Sequence, residues 1–379
     1  MSLVVPLVAA ADAGVVGGKA ASLGELSRAG VTVPPGFAVT TEAFALALTV
    51  IDADGALRAG IEALDPGDLA AIAAFAARVR ALVADAPLPA EVTAAIEAGY
   101  AALGGGGGGG RDPDVAVRSS ATVEDSAEAS FAGLQDTYLG ISGAAAVLEH
   151  VRRCWASLYN DESVAYRRRL GLPEAGVAMA VVVQRMVAPQ AAGVMFTRSP
   201  VTGDRSVVAI EGTWGLGSAL VSGDVTPDSW AVSKITGEIT TRRVSPKLKI
   251  HRYHSPEHGG VALPGPSPGS AAGPDAASAV QGGARVTVAD TPAELRDAPC
   301  LSDNEIRVLA AVARRVEAHY GAPQDIEWAV LDGDAPTESR VVLLQSRPET
   351  VWSARGSAPA GTPKPRAADH VLALFGKPL

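Results

Sequence analysis

Cysteine is scarce in this 379-residue chain, which contains only Cys154 and Cys300. The two residues are far apart and have no metal-ligand spacing, so the sequence indicates neither a disulfide framework nor a cysteine-based metal site. Two reduced, mostly buried thiols are typical of proteins from a reducing compartment. We therefore expect a cytoplasmic protein.

Long hydrophobic runs and an excess of positive charge are also lacking. No run of about 18 apolar residues occurs, so no membrane-spanning segment is predicted. The chain has 32 Lys and Arg against 41 Asp and Glu, which gives a formal net charge of -9. This acidic balance is a poor match to nucleic acid and to membrane surfaces, and we expect neither as a partner. A local basic cluster can still bind a small anion such as a phosphate.

Strand and helix patterns are present in a mixture along the chain, and apolar residues make up 47% of it. The clearest helix is "SDNEIRVLAAVARRVEAHYG", in which Ser302 and Glu305 have the spacing of a capping box and Gly321 can end the helix. Helical patterns also cover residues 65–102 and 144–170. "VAMAVVVQRMV" is typical of a strand that is buried on both faces. The mixture predicts an α/β or α+β architecture.

Three stretches are too rich in Gly, Pro, Ala and Ser to build a core. The seven glycines at 104–110 predict a flexible connector. Residues from about 255 to 284 predict a flexible surface loop, and 353–379 predict a linker and tail. "HRYHSPEH", at 251–258, leads into the loop, and we interpret it as a solvated stretch rather than a metal site.

Two late strands carry polar side chains where a strand should be apolar. In "DIEWAV", at 325–330, strand alternation puts Asp325 and Glu327 on one face, and Ile326 and Trp328 on the other, in the core. The polar face of this strand is therefore a candidate site.

The second of these strands is "VVLLQSRP", at 341–348. Alternation places Gln345 and Arg347 on one face, with Val342, Leu344 and Ser346 opposite. If the two strands pair as a hairpin, their polar residues meet on one surface.

This surface has the composition of a magnesium and phosphate site. Two carboxylates close together resist joint ionisation unless a cation lies between them. Oxygen atoms of Asp, Glu and Gln suit Mg²⁺, which keeps its other positions for water and phosphate oxygens, and the planar fork of Arg347 suits phosphates. The two strands alone leave an exposed hairpin face with an ordinary ion pair equally open.

Three earlier stretches add candidate phosphate contacts. "GGKAASLGEL" places Lys19 after two glycines and before a helix, although it is not a Walker A loop. "VAVRSSATVEDS" places Arg118 at a strand end. "FAGLQDTYLG" supplies Gly133, Gln135 and Thr137 on a loop of small residues that a nucleotide could approach. Taken singly, Lys19 and Arg118 are also compatible with ordinary surface positions.

Taken together and in this order, these stretches resemble the ATP-binding domain shared by phosphoenolpyruvate synthase, pyruvate phosphate dikinase and rifampicin phosphotransferase. The resemblance covers about residues 15–351, and the joint occurrence of its motifs is specific. "VARRVEAHYGAPQDIEW" is most similar to the rifampicin phosphotransferase and phosphoenolpyruvate synthase branch. The matching stretches are "GGKAASLGEL", "VPPGFAVTT", "VAVRSSATVEDS", "FAGLQDTYL", "VVVQRMV", "AAGVMFTRSPVTG", "PQDIEWAV" and "LLQSRPET".

The resemblance implies an α+β, ATP-grasp-like fold. Its two lobes, 1–186 and 187–352, would enclose a nucleotide cleft. The implied function is ATP-dependent phosphoryl transfer with ATP and Mg²⁺, a chemistry that requires charge neutralisation more than covalent help from the protein. By residue match, Lys19, Arg118 and Arg347 bind the phosphates and are the candidate catalytic residues.

The resemblance assigns the remaining candidates around the same nucleotide. Glu327 and Gln345 match the ligands of Mg²⁺, with Asp325 beside them. Gln184, on the strand that links the lobes, would lie near the adenine. The loop with Gly133 and Thr137 would cover the nucleotide.

One part of the family pattern is missing from this sequence. Family members carry a further domain with a phosphorylated histidine in a Thr-Ser-His type motif, and another domain that binds the final acceptor. The chain has six histidines, and none lies in such a motif.

Three interpretations stay open at this point. The chain is the ATP-binding part of a phosphotransferase whose histidine carrier lies elsewhere, and it leaves AMP and phosphate. Alternatively, it is a stand-alone kinase that phosphorylates a small molecule directly, or a non-catalytic module that only binds a nucleotide. The complete set of phosphate and metal candidates argues against the third interpretation.

Overall fold

The structure, a computed structural model, describes residues 2–104, 112–121, 125–126, 129–130, 136–254, 280–282, 285–350 and 352. The predicted connector after Gly104, nearly all of the predicted loop at 255–284 and the tail at 353–379 lie outside these residues. Gly133 and Gln135 lie outside them as well.

The strands of the described residues fall into two large sheets and two small pairs. In chain order they are β1 (Val4–Pro6), β2 (Gly36–Val39), β3 (Val115–Ala121), β4 (Asp125–Ser126), β5 (Ala129–Ser130), β6 (Thr137–Ile141), β7 (Met179–Arg185), β8 (Pro189–Phe196), β9 (Val207–Trp214), β10 (Asp228–Ser233), β11 (Ile239–Arg243), β12 (Lys249–Tyr253), β13 (Val280–Gly282), β14 (Val286–Asp290), β15 (Gln324–Leu331) and β16 (Val341–Pro348).

The helices pack on these sheets. In chain order they are α1 (Ala13–Arg28), α2 (Thr41–Ile51), α3 (Ala56–Glu62), α4 (Leu69–Asp85), α5 (Ala90–Leu103), α6 (Ala144–Ser157), α7 (Asp161–Leu170), α8 (Ser218–Val221), α9 (Ala293–Arg296), α10 (Asp303–Tyr320) and α11 (Thr337–Arg340). The predicted mixture of helix and strand is confirmed, with sheets that are mainly antiparallel.

The N-terminal sheet has the strand order β1-β2-β7-β3-β6-β13. Its central strand, β7, is buried on both faces, as the apolar run predicted. Val181 and Val183 belong to a core that contains Trp155 of α6, whereas Val182 packs with Leu23 of α1 on the other face. The pairs are antiparallel except that β13 lies parallel to β6.

The C-terminal sheet has the strand order β11-β10-β9-β8-β15-β16, and all its pairs are antiparallel. One face packs on α10, where Trp328 and Ile326 lie in a core with Leu309. The predicted signals of α10 are confirmed: Ser302 and Glu305 form a reciprocal capping box, and Gly321 ends the helix with φ 67°.

Two predicted helical stretches are each divided in the structure. The stretch at 65–102 forms α4 and α5, because Pro87 and Pro89 lie between them and proline does not continue a helix. The stretch at 144–170 forms α6 and α7, with the break at 158–160. The two prolines were an available signal for the first break, whereas the second break, at Leu158, Tyr159 and Asn160, contains neither Pro nor Gly.

The two cysteines are free and buried, as expected. Among the described residues, none of the helices is both long enough and apolar enough to cross a bilayer.

Helix α1 contains one sharp deviation at Gly17, which has φ 75° and ψ 162°. This conformation is nearly restricted to glycine. A Cβ atom on Gly17 would lie 2.1 Å from the carbonyl oxygen of Ser120 in β3. The absence of a side chain therefore lets α1 approach β3 closely, and this approach sets the position of Lys19 two residues later.

We expect Gly17→Ala to lower the free energy of unfolding by roughly 3 kcal/mol or more, because it combines a strained backbone with a clash against backbone. Gly171→Ala is the matched control. Gly171 has φ 66° and ψ 26°, but a Cβ there meets nothing within 4 Å, so only about 1 kcal/mol should be lost. Denaturant unfolding measures the free energy of unfolding of both variants. Equal losses in the two variants would contradict the close approach of α1 and β3.

Candidate functional site

A cavity of about 400 Å³ receives side chains from both large sheets and from α1. It contains all the predicted site residues that the structure describes: Lys19, Arg118, Thr137, Gln184, Asp325, Glu327, Gln345 and Arg347. A larger depression of about 950 Å³ beside β11 and α10 contains none of them. The structure thus brings the sequence candidates together in one place.

The polar face of the cavity is built by the hairpin of β15 and β16. The register places Asp325 opposite Arg347 and Glu327 opposite Gln345. The other face of β15 is apolar, since Trp328 is fully buried in the C-terminal core. Strand alternation therefore predicted the orientation of β15 correctly.

The prediction for β16 was wrong at two residues because the pairing contains a bulge. Glu327 pairs with Gln345 but Trp328 pairs with Leu343, so Leu344 is an extra residue. As a result, Val342 packs on the cavity side rather than in the core behind it, and Leu344 lines the cavity next to Gln345.

Arg118 connects the N-terminal sheet to this hairpin. One of its terminal nitrogens, Nη2, donates to Glu327 Oε2 at 2.6 Å and to Gln345 Oε1 at 3.0 Å. The other, Nη1, donates to the carbonyl oxygen of Leu344 at 2.8 Å. Because only 12% of the Arg118 side chain is exposed, water screens these contacts weakly.

The charge of Glu327 is maintained by its surroundings. Burial acts to raise the pKa of this carboxyl group, but the charge and hydrogen bond of Arg118 oppose it, with further contributions from Lys19 and Arg347. The net result is a pKa below the ordinary value. Glu327 is therefore an ionised acceptor surrounded by positive charge.

Asp325 behaves in the opposite way. Burial raises its pKa to about 6, and the opposing effect of Arg347 is not sufficient to cancel this. Its Oδ2 lies 3.5 Å from Arg347 Nε, and its buried Oδ1 has no hydrogen-bond partner among the described residues. An additional cation at this position would stabilise the charged form.

Three further candidates lie around the hairpin. Lys19 on α1 lines the cavity and lowers the pKa of Glu327. Thr137 on β6 pairs with Arg118 on β3. Gln184 on β7 is 2% exposed, and its Nε2 donates to the carbonyl oxygen of Pro34 at 3.1 Å, so its amide is held in one orientation.

The rest of the cavity wall is mostly apolar, with Met186, Val187, Leu216 and Val221 among its residues. No prediction from the sequence covered the turn after β9, which supplies Leu216 and also Ser218. The glycines of "GLGS" were the available signal, because a glycine-rich turn after a strand often lets a ligand approach the backbone.

The interpretation of "HRYHSPEH" as a solvated stretch was wrong for its first residue. His251 lies in β12, is 8% exposed and bonds to Ser218 and Asp224. It is buried where β12 lies against the turn after β9, more than thirty residues earlier in the chain. His254 is exposed, and His258 lies outside the described residues. No cluster of three or more His, Cys, Asp or Glu that could hold a metal occurs in the described part of the chain.

We expect Asp325→Asn to stabilise the protein increasingly as the pH rises from about 4 to about 6. An unfolded aspartate loses its proton near pH 4, whereas the folded carboxyl keeps its proton up to about pH 6. Between these values the folded state binds more protons, so the wild type loses stability with rising pH, by at most about 3 kcal/mol.

Denaturant unfolding at pH 4, 5, 6 and 7 gives the free energy of unfolding of the variant and of the wild type, and the difference between the two measures this effect. Asp334→Asn, at an exposed residue of the loop before α11, is the matched control. If the difference in the free energy of unfolding between Asp325→Asn and the wild type does not change with pH, the raised pKa of Asp325 is contradicted.

Comparison with known proteins identifies relatives over almost the whole chain. Residues 13–367 match the family described as pyruvate phosphate dikinase, AMP/ATP-binding domain. A probable phosphoenolpyruvate synthase from Methanothermobacter thermautotrophicus is 41% identical over 340 residues, which cover 89% of this chain and 44% of that protein. A rifampicin phosphotransferase from a Streptomyces species is 44% identical over 346 residues, which cover 90% of this chain and 35% of that protein.

A third relative, the phosphoenolpyruvate synthase of Aeropyrum pernix, is 40% identical over 346 residues, covering 89% of this chain and 41% of that protein. The chain therefore spans less than half the length of each of these relatives. The two kinds of enzyme are those that the sequence motifs resembled, so the predicted relationship is confirmed. The chain belongs to the family of the pyruvate phosphate dikinase AMP/ATP-binding domain.

Proposed function

We propose that this chain is the ATP-binding unit of a phosphotransferase, which cleaves ATP with Mg²⁺ and passes a phosphoryl group to a histidine carrier outside these residues. The observation that carries the proposal is the convergence of three cations, Lys19, Arg118 and Arg347, on one cavity with Glu327 and Gln345. Concentrated positive charge beside oxygen ligands fits a metal-bound triphosphate.

The fold supports an ATP-grasp-like interpretation, with lobes at about 1–186 and 187–352. Each large sheet has its own hydrophobic core, and the cavity takes residues from both sheets. In this arrangement the triphosphate lies against the hairpin, and the adenine lies near Gln184 and the apolar wall of Met186 and Leu216. Thr137, which pairs with Arg118, lies beside the phosphates; the predicted contact of Gly133 falls outside the described residues.

The residues fit a magnesium ion. Glu327 Oε2 and Gln345 Oε1 both accept from the same nitrogen of Arg118, so two oxygen ligands already converge on one positive group. Asp325 adds a buried oxygen without a hydrogen-bond partner among the described residues. Oxygen donors of this type are those that Mg²⁺ prefers, and a bound Mg²⁺ would neutralise charge on the phosphate oxygens.

The protein contributes position and charge to the transfer. Arg118 and Arg347 hold phosphate oxygens, Lys19 adds a third positive charge, and the apolar wall limits the access of water. A ring nitrogen of the carrier histidine attacks the β-phosphorus of ATP while the bond from that phosphorus to the oxygen of AMP breaks. Water then cleaves the terminal phosphate from the pyrophosphoryl-histidine, which leaves phosphate and phosphohistidine. The greater length of the curated relatives is consistent with a carrier outside this chain.

The products of ATP cleavage test this chemistry directly. We expect the chain, incubated with ATP, Mg²⁺ and a histidine carrier domain supplied as a separate polypeptide, to release AMP, and turnover should be far slower without the carrier. Chromatography resolves AMP from ADP, with and without the carrier and candidate small-molecule acceptors. ADP as the product would overturn the histidine-relay proposal and favour direct phosphorylation of a small molecule.

We expect Glu327→Ala and Arg347→Ala each to lower ATP turnover by about 100-fold or more, since each removes charge that stabilises the transferring phosphoryl group. The melting temperature should change little in Arg347→Ala, because the Arg347 side chain is 39% exposed. It should fall in Glu327→Ala, which also leaves the largely buried Arg118 without its ion-pair partner, so turnover of that variant is measured below its melting temperature. Arg205→Ala, at an exposed arginine outside the cavity, is the control. Wild-type turnover in both site variants would defeat the assignment.

A further inference from the structure

A chain of three hydrogen-bonded polar side chains begins at the cavity wall and includes none of the predicted phosphate contacts. Ser218 lines the cavity at the start of α8. Its Oγ is 2.9 Å from His251 Nδ1, and His251 Nε2 is 3.1 Å from Asp224 Oδ2. None of these residues has a role in the phosphate and metal site.

The contacts determine which ring nitrogen of His251 carries the proton. A carboxylate oxygen only accepts, so Nε2 donates to Asp224. Burial lowers the pKa of His251, and the opposing effect of Asp224 does not cancel this, so the ring is neutral at pH 7. Nδ1 is then unprotonated and accepts the hydroxyl proton of Ser218.

The single proton of the Ser218 hydroxyl is therefore directed away from the cavity. A serine oxygen has one proton and two lone pairs, so the group that Ser218 presents to a ligand is an acceptor. Its ligand partner must be a donor, such as a hydroxyl group. An acceptor in this position would not select for a phosphate oxygen, which also only accepts.

The backbone holds this arrangement in place. The amide of Leu216 donates to the carbonyl oxygen of His251 at 2.9 Å. Gly215 has φ 73°, and a Cβ there would lie 2.3 Å from the same carbonyl oxygen. The turn after β9 and strand β12 are thus in close contact.

Ser218 follows a residue that packs directly on the cavity floor. A Cβ on Gly217 would lie 3.7 Å from Ala192 Cβ in β8. Ala192 pairs with Ala329, two residues along β15 from Glu327. The apolar residues Leu216 and Val221 flank Ser218 in the chain and line the same cavity. Ser218 therefore lines the cavity between apolar residues, and its neighbour Gly217 packs on the part of the floor that continues along β15 to Glu327.

A nucleoside triphosphate has hydroxyl donors between its apolar base and its charged phosphates. We infer that Ser218 accepts a hydrogen bond from a ribose hydroxyl of the bound nucleotide, with His251 and Asp224 as positioning residues that fix its hydroxyl. This inference rests on the proposed function, because it requires the nucleotide to occupy the cavity. It makes Ser218 a specificity-determining residue for ribonucleotides.

The test compares ATP, 2′-deoxy-ATP and 3′-deoxy-ATP in the presence of Mg²⁺, with Kd measured by calorimetry for wild type and Ser218→Ala. We expect the wild type to bind ATP about three- to tenfold more tightly than one of the two deoxy analogues, the range for one neutral hydrogen bond. In Ser218→Ala the ratio of the two Kd values should fall to about 1, because neither ATP nor the analogue can then form the hydrogen bond to Ser218. The analogue that the wild type binds less tightly than ATP lacks the ribose hydroxyl that Ser218 contacts.

Two control variants separate this role from a structural one. Ser222→Ala removes a hydroxyl that also bonds to Asp224 but lies outside the cavity, and it should keep the wild-type ratio. Ser218→Thr keeps the hydroxyl and should retain most of the discrimination, whereas His251→Phe frees the hydroxyl to rotate and should reduce it.

Several results would overturn the inference. An ATP-to-analogue ratio in Ser218→Ala equal to the wild-type ratio, or no discrimination by the wild type, would remove Ser218 from the ribose site while leaving ATP binding intact. Phosphorylation of Ser218 after incubation with ATP, detected by mass spectrometry, would show a nucleophile in place of a positioning contact. Failure of the wild type to bind ATP at all would overturn the proposed function together with this inference.

Discussion

The contact of Arg118 with Glu327 and Gln345 is the interaction on which the site depends. It joins β3 of the N-terminal sheet to the β15–β16 hairpin of the C-terminal sheet. One nitrogen binds the two oxygen ligands of the proposed metal, so groups that would bind the substrate also form one of the contacts between the two sheets. A ligand that changes these contacts therefore also acts on the relation between the two sheets.

Burial disfavours the charged form of both carboxyl groups on the hairpin, but the neighbouring cations compensate one of them much more than the other. Glu327 is surrounded by cations and its pKa is lowered, while Asp325 is buried with too little compensation and its pKa is raised to about 6. Neighbouring carboxyl groups with opposite shifts are typical of functional sites, where environments differ over a few ångströms. A metal-bound triphosphate would supply positive charge beside Asp325 and negative charge beside Arg118 and Arg347.

The sequence predicted the parts of this site that depend on local periodicity or on family motifs. A period of two placed Asp325 and Glu327 on the face opposite Trp328, and the capping signals of α10 were correct. The bulge that turns Leu344 into the cavity was not predictable, because no residue type marks an extra position in a strand. Alternation counted from Gln345 and Arg347 therefore assigned Val342 and Leu344 to the wrong face of β16.

Contacts between distant segments were also beyond local patterns. His251 lies against the turn after β9, more than thirty residues earlier in the chain. The hydrogen bonds from Ser218 through His251 to Asp224 join these two distant segments, and a single serine in a glycine-rich turn carries no signal of its own. Thus the sequence predicted the charged residues of the cavity, whereas it did not predict Ser218 among the apolar residues of the wall.

The most direct measurement is a crystal structure of the chain with a non-hydrolysable ATP analogue and Mg²⁺. The account predicts phosphate oxygens within hydrogen-bond distance of Lys19, Arg118 and Arg347, and a metal ion bound by Glu327 and Gln345. A nucleotide bound elsewhere, or bound here with its phosphates directed away from the hairpin, would contradict it.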